Sequence, residues 1–172
     1  MEDELATKLH GTGRMRVVVR SGDPTDPATL GTVAPERAQA IVILASDRVI
    51  AVRDPWGFRP MSVGRLPHGG WAVASETCAL NTLGCVDIDE VKPGEIVTLR
   101  GAEIQRRHAL AASSTGARCT FEFVYFSRPD SVWAGRNVHH VRQRLGEQLA
   151  IESGVDADVV IPVPDSSIPA AI

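Results

Sequence analysis

The amino-acid sequence predicts an α+β protein in which a mainly antiparallel sheet is followed by the beginning of an α/β unit. Between residues 40 and 76, pairs of short apolar runs joined by tight turns are typical of β-hairpins. Residues 137–153 have apolar side chains at helical spacing, and residues 157–164 form a continuous apolar run typical of a buried parallel strand. A polar segment of small residues, 109–118, separates the two patterns and is the best candidate for a linker.

The sheet pattern begins only at residue 40. Before it, residues 2–9 favour a short helix, residues 16–20 favour a strand and residues 21–31 favour a loop. After it, the predicted elements in chain order are a hairpin (40–44 and 48–54), a rigid turn (55–60), a second hairpin (61–66 and 71–76), a short helix ended by Gly84 (77–84), a turn at Pro93 and Gly94, and two short strands before residue 108.

The second pattern starts with the aromatic run CTFEFVYF, residues 119–126, whose alternation predicts a strand. Residues 127–136 predict a loop. The helix predicted at 137–153 has one apolar stripe that we expect to be buried, formed by Val138, Val141, Leu145, Leu149 and Ile151.

Composition and charge argue against several classes of function. The 172 residues are 44% hydrophobic and 23% charged, as in globular proteins that bury a core. A formal net charge of −3 disfavours binding to nucleic acid or to an anionic membrane surface. Three cysteines without a CxxC pair favour reduced thiols, and the sequence shows neither a signal peptide nor an apolar run of the ~20 residues that a membrane helix needs. We therefore expect a cytoplasmic protein with no nucleic-acid or membrane partner.

The polar loop formed by Asp165, Ser166 and Ser167 lies between the apolar run and a helix start that carries Pro169. Free N–H groups at a helix start attract phosphates, and the serine hydroxyls can ligate Mg²⁺ directly or through water. The alternative is a plain helix N-cap without a ligand. The residues alone favour this alternative, because such caps far outnumber phosphate sites.

Other stretches carry weaker signals for chemistry. RDPWGFRP, residues 53–60, is best interpreted as a stiff structural turn with an internal Arg–Asp pair. ASETCA, residues 74–79, offers a nucleophile beside an acid, but no histidine is tied to it by spacing. Cys119 alone favours a small buried side chain over a metal ligand, and the adjacent His139 and His140 point to different helix faces, which disfavours a shared metal.

Five stretches of the chain together resemble one enzyme family. In chain order they are RVIAVRDPWGFRPMSVGRL, WAVASETCAL, VKPGEIVTL, CTFEFVYFSRPDSVWAG and ADVVIPVPDSSIPAAI. Each is weak alone, but in this order they strongly resemble the amidophosphoribosyltransferases, the glutamine phosphoribosylpyrophosphate amidotransferases that begin purine synthesis. The resemblance covers residues 41–172.

This resemblance implies both a fold and a reaction. Residues 41–118 would be the second half of a glutaminase domain of the N-terminal-nucleophile hydrolase type, an αββα sandwich. Residues 119–172 would be the first helix and strand of a type I phosphoribosyltransferase domain. The family enzyme releases ammonia from glutamine with an N-terminal cysteine, and the ammonia displaces pyrophosphate from phosphoribosylpyrophosphate. A homo-oligomer that uses Mg²⁺ is expected.

The chain departs from the family pattern in residues 1–40, where no Cys-Gly start is found, and it lacks the acidic phosphoribosylpyrophosphate motif. We therefore expect a fragment that is inactive alone, in which no residue is catalytic and neither Cys78 nor Cys85 is a nucleophile. The alternative is a non-catalytic paralogue that associates with, or regulates, an intact enzyme.

Few site residues carry over from the resemblance. Ser166 matches the family position that contacts Mg²⁺, with Asp165 and Ser167 beside it in the pyrophosphate loop. Cys119 matches a ligand of a [4Fe–4S] cluster in one subgroup, whereas other members keep a cysteine there without a cluster. Both interpretations of Cys119 stay open.

Overall fold

The computed structural model describes residues 39–113 and 115–172. In chain order its elements are β1 (Ala40–Leu44), β2 (Val49–Arg53), β3 (Ser62–Arg65), β4 (Trp71–Ala74), α1 (Thr77–Thr82), β5 (Val86–Glu90), β6 (Glu95–Arg100), β7 (Glu103–His108), a π-helical turn (Glu122–Phe126), β8 (Val132–Trp133), β9 (Arg136–Asn137), α2 (Val138–Ser153) and α3 (Ile168–Ala171). The helix, strand and loop predicted before residue 32 lie outside the described residues, so they stay predictions.

Two antiparallel sheets form the first part of the fold. One has the strand order β1-β2-β6-β7 and the other the order β4-β3-β5. Ala51 of β2 lies opposite Val42 of β1 and Val97 of β6, so the register places small and branched side chains on one face. The buried core takes residues from both sheets and from their connections: Ala51, Met61, Val63, Val91, Val97 and Leu99. Burial of these apolar side chains stabilises the pair of sheets, at about 1.5–3 kcal/mol for each large one.

Most of the predicted elements in this part are confirmed. Both hairpins form, as β1 with β2 and β3 with β4, and the second turns through Gly69 and Gly70 with φ of 93° and 81°. The short helix forms as α1, and the strands after Gly94 form as β6 and β7. The sequence interpretation missed β5, whose residues VDIDE alternate acidic with apolar side chains. The mixture of sheets and helices confirms the α+β class.

The strand predicted at residues 119–126 is wrong. The chain forms a π-helical turn there, closed by the Ser127 amide, which donates to the Glu122 carbonyl at 3.0 Å. Three contacts favour the turn over an extended strand. The Glu122 carboxylate accepts from Arg59 and from the Ser127 hydroxyl, and the Phe123 ring packs against the Trp133 ring with centroids 4.9 Å apart. Alternating aromatic residues were therefore a misleading signal for a strand.

The buried strand predicted at residues 157–164 is absent from the described part of the chain. Residues 157–163 are irregular, and the side chains of Val159, Val160, Ile161 and Val163 are 68–83% exposed. A strand needs a neighbour for its backbone hydrogen bonds, and among the described residues none pairs with this segment.

Helix α2 forms where it was predicted, but its apolar stripe is only partly buried. Val138 is fully buried, whereas Leu145, Leu149 and Ile151 are exposed. The buried face carries Val138, Arg142 and Gly146 instead, because α2 packs mainly against the π-helical turn, β9 and α3. Within the described residues, no helix is long and apolar enough to cross a membrane.

The turn at residues 53–60 is structural, but its predicted internal Arg–Asp pair is replaced by other partners. Arg53, which is 0% exposed, binds Glu90 at 2.6 Å and donates to the carbonyls of Val91 and Gly57. The Asp54 carboxylate accepts from the backbone amides of Trp56 and Phe58 at 2.9 and 3.0 Å. Arginine thus holds the turn to β5, and aspartate shapes the turn itself.

We expect the substitution Arg53→Met to lower the free energy of unfolding by about 3 kcal/mol, because it leaves Glu90 and two carbonyls without their buried donor. Urea denaturation followed by circular dichroism measures the change. The control is Arg48→Met, since Arg48 forms an exposed pair with Asp47 at 2.8 Å and its loss should leave the midpoint nearly unchanged. Equal midpoint shifts in the two variants would contradict a special role for Arg53.

Candidate functional site

The loop formed by Asp165, Ser166 and Ser167 lies immediately before α3, as the sequence predicts. Asp165 is exposed, whereas the two serines are half-buried. The Ser167 carbonyl accepts from the amides of Ala170 and Ala171 at 3.0 and 3.2 Å, which closes the short helix. The loop therefore presents carboxylate and hydroxyl oxygens beside a helix start.

The predicted side-chain cap is not made. Ser167 occupies the N-cap position, but its Oγ donates backwards to the Val163 carbonyl and accepts no amide of α3. The Asp165 carbonyl accepts from the Ile168 amide at 3.4 Å. The Ser167 hydroxyl is therefore already used by the chain before it. The Asp165 carboxylate and the Ser166 hydroxyl make no hydrogen bond to the described residues.

Helix α2 positions this loop through a close backbone approach. Gly146 faces Ala170, and a Cβ atom at residue 146 would overlap the Ala170 backbone. Pro169 is buried beside this contact. Only glycine allows the two helices to approach this closely, so the place of α3, and with it the loop, depends on Gly146.

Helix α2 is itself fixed at its start and along its buried face. The Asn137 side chain caps it by accepting from the His140 amide at 3.1 Å. Arg142 donates to the carbonyls of Phe123 and Ser127 at 2.6 and 2.7 Å. Burial lowers the pKa of the Arg142 guanidinium from its ordinary value, and the charge of Glu76 acts in the opposite direction.

Cys119 lies far along the chain from the other cysteines and is half-buried, with its amide donating to the Phe58 carbonyl at 3.0 Å. Cys78 and Cys85 are buried. Among the described residues, no group of three histidine, cysteine or acidic side chains could hold a metal ion. A [4Fe–4S] cluster needs four ligands, and among the described residues Cys119 alone matches a ligand position of the resemblance, so both interpretations of Cys119 stay open. The Mg²⁺ that the resemblance implies at Ser166 stays a prediction, and the oxygen atoms of the loop are of the type that binds Mg²⁺.

The remaining sequence candidates have structural surroundings. Glu76 accepts from the Ser131 hydroxyl at 2.8 Å and from the Arg128 amide at 2.7 Å, and its carboxylate is 3.8 Å from the Cys78 sulfur. The rings of His139 and His140 lie 6.0 Å apart at 64°, without a further ligand close enough to complete a metal site in the described residues. Neither group shows the base and nucleophile arrangement of covalent catalysis.

Sequence reasoning missed the long-range contacts of three glutamates that join distant parts of the chain. Glu76, Glu90 and Glu122 contact residues 55, 44 and 63 positions away, respectively. Such pairs leave no local signal in one sequence. An isolated acidic residue within a strand or an aromatic run was the only visible sign, as with Glu122 in CTFEFVYF.

The substitution Gly146→Ala should displace α3 from α2, because the new Cβ atom would overlap the Ala170 backbone. This is expected even though alanine has a higher helix propensity than glycine, by about 1 kcal/mol. We expect the amides of Ala170 and Ala171 to exchange with solvent roughly tenfold faster, since the turn they close loses its support. Hydrogen exchange detected by NMR reports this directly. Glu147→Ala, on the exposed face of the same helix, is the control. A more stable variant with unchanged amide exchange would show that the close approach does not matter.

Comparison with known proteins identifies the family. No protein-family model matches the chain. It is 44% identical over 135 residues to the chloroplastic amidophosphoribosyltransferase of Glycine max, a match that covers 78% of the chain and 24% of the relative. The amidophosphoribosyltransferases of Mycobacterium tuberculosis strain H37Rv and Homo sapiens are 43% and 41% identical, over 78% of the chain and over 25% and 29% of their own lengths.

Solved structures agree with these relatives. The glutamine phosphoribosylpyrophosphate amidotransferase of B. subtilis, complexed with ADP and GMP, superposes with a TM-score of 0.72 at 33% identity, covering 99% of this chain and 40% of that one. A structure described as the allosteric regulatory enzyme of purine biosynthesis gives 0.73 at 35% identity, with 98% and 39% covered. The chain thus spans about a quarter of the length of the curated relatives it matches. Over that span, it belongs to the amidophosphoribosyltransferase family.

Proposed function

We propose that this chain forms part of an amidophosphoribosyltransferase, which makes phosphoribosylamine from glutamine and phosphoribosylpyrophosphate in the first step of purine nucleotide synthesis. The observation that carries the proposal is the identity of more than 40% to enzymes of that name over 78% of the chain. Ammonia released from glutamine forms a bond to the anomeric carbon as the bond to pyrophosphate breaks. The complete enzyme is proposed to be a cytoplasmic homo-oligomer.

We also propose that the two parts of the chain belong to two domains. Residues 41–118 would be the second half of an αββα glutaminase sandwich, and residues 119–172 the start of a type I phosphoribosyltransferase domain. The core supports this division, because its buried residues and the side chains packed on it all fall between Val49 and Ile104. The exposed apolar run at residues 159–163 supports it too, since such a run is typical of a strand buried between neighbours.

In this proposal the loop at Asp165, Ser166 and Ser167 holds the pyrophosphate. The Ser166 hydroxyl would contact Mg²⁺, with the Asp165 carboxylate beside it. Mg²⁺, when bound, neutralises charge that develops on the leaving pyrophosphate. Ser167 acts differently, because its hydroxyl donates to the Val163 carbonyl at the end of the preceding segment. Gly146 keeps this loop against α2.

The proposal can be tested in a chimera. Residues 41–172 replace the matching segment of the Mycobacterium tuberculosis relative, and glutamine-dependent release of pyrophosphate from phosphoribosylpyrophosphate is measured. We expect an active chimera, in which Ser166→Ala lowers the rate by about 100-fold, because a group that stabilises the leaving pyrophosphate is lost.

The matched control is Glu147→Gln, which changes an exposed side chain of α2 and should leave the chimera's rate unchanged. Circular dichroism and gel filtration establish that each chimera is folded. A folded chimera with no pyrophosphate release would refute the proposed function. An active chimera that is indifferent to Ser166→Ala would refute the role of the loop alone.

The 172-residue chain alone should release no ammonia from glutamine. The family resemblance requires a cysteine whose own α-amine is the base, whereas Cys78 and Cys85 are internal and buried and Cys119 is internal. Coupled detection of ammonia with glutamate dehydrogenase, against a blank without protein, is the measurement. Glutamine-dependent ammonia above that blank, lost in Cys78→Ser or Cys119→Ser, would contradict this expectation.

A further inference from the structure

Several polar side-chain contacts join the sheet part (residues 39–108) to the segment 119–153. The apolar core lies wholly within the sheet part. The segment 119–153 has buried apolar residues of its own, Trp133 and Val138, and neither belongs to that core. The core of the sheets therefore does not extend into the segment, although β8 also contacts α1, whose Leu80 is buried.

Three glutamates make the charge-assisted hydrogen bonds of this contact. Glu76 of the sheet part accepts from the Ser131 hydroxyl at 2.8 Å and from the Arg128 amide at 2.7 Å. Glu90, also of the sheet part, accepts from the Ala134 amide at 3.1 Å with one oxygen and from Arg53 at 2.6 Å with the other. These two carboxylates therefore hold the loop between the π-helical turn and α2.

The third glutamate makes the same kind of contact in the opposite direction. Glu122 belongs to the segment 119–153 and pairs with Arg59 of the sheet part at 2.6 Å. Its second oxygen accepts from the Ser127 hydroxyl at 2.8 Å. Its side chain is only 8% exposed, whereas that of Arg59 is 36% exposed. We call Glu76, Glu90 and Glu122, with these partners, the carboxylate clasp.

Arg59 also lies over the Phe126 ring, 4.8 Å from its centroid. The remaining hydrogen bonds across this boundary are neutral. The Thr77 hydroxyl accepts from the Val132 amide at 2.8 Å. The amides of Ser113, Ala117 and Cys119 donate to the carbonyls of Pro55, Trp56 and Phe58 at 2.9–3.1 Å, but they hold the linker and not the loop after residue 127. Charge-assisted hydrogen bonds are roughly twice as strong as neutral ones, so the clasp dominates.

We propose that the carboxylate clasp docks the segment 119–153 onto the sheet part as a unit that opens and closes while the sheets stay folded. Replacing any one of the three carboxylates by an amide leaves only weaker, uncharged hydrogen bonds on that side chain, so each replacement should favour the open form. Opening would carry α2 with it, and α2 holds the 165–167 loop through Gly146 and Ala170. The clasp would thus set the place of that loop relative to the sheets, whatever the loop binds.

Hydrogen exchange detected by mass spectrometry on the 172-residue chain tests this. Glu76→Gln and Glu122→Gln keep the side-chain shape and remove the charge. We expect the α2 amides to exchange at least tenfold faster in both variants, while those of β2 and β6 stay within twofold of the parent. Glu103→Gln and Glu147→Gln, exposed carboxylates of the two parts, are the controls and should change neither. Glu90→Gln is less informative, because Arg53 would lose its partner within the sheets.

Two results would overturn the proposal. Equal acceleration in α2, β2 and β6 would show that the segment and the sheets unfold together. Unchanged exchange in α2 would show that the charges do not hold the segment. If Glu76→Gln fails to fold, Ser131→Ala removes the same hydrogen bond by deleting its donor. The exchange rates of the α2 amides are then compared with those of β2 and β6 in that variant, with the same two outcomes.

Discussion

The buried guanidinium of Arg53 is the contact on which the rest of this structure depends. It lies at the end of β2 in one sheet and pairs with Glu90 at the end of β5 in the other. It also donates to the carbonyls of Val91 and Gly57, so both sheets and the turn after β2 meet at one charge. A buried charge without partners is very costly, and this cost restricts the relative placement of all three elements. Apolar packing alone is less directional.

The same chain of contacts continues beyond the sheets. The second oxygen of Glu90 holds the Ala134 amide, and the carbonyls of the turn after Arg53 hold the linker. Two kinds of force therefore act in different places. Burial of apolar side chains stabilises the pair of sheets, and directional polar contacts place the following segment on them. The likeness to solved structures, at TM-scores of 0.72 and 0.73, extends beyond the sheets.

The sequence predicted what depends on local rules and missed what depends on distant partners. Hairpins and α1 follow from alternation and turn residues, and the loop at Asp165 to Ser167 follows from an apolar run before a helix start. The π-helical turn was missed because Glu122 is drawn to Arg59, 63 residues away. The orientation of Ser167 towards the Val163 carbonyl was also beyond a capping rule, since side chains at helix starts can bond backwards along the chain.

The error at residues 157–164 is informative in another way. The pattern of apolar residues in a segment depends on which of its faces are buried in the protein. This run is typical of a strand that is covered on both faces. The described residues leave its valines and Ile161 exposed together with Leu149 and Ile151 of α2. Large contiguous apolar surfaces are rare on isolated soluble proteins. Because curated relatives are about four times longer than the matched span, we expect the part of those enzymes outside the span to supply the missing neighbours. The sequence pattern would then describe this segment among its neighbours, and the exposed surface would describe the same segment without them.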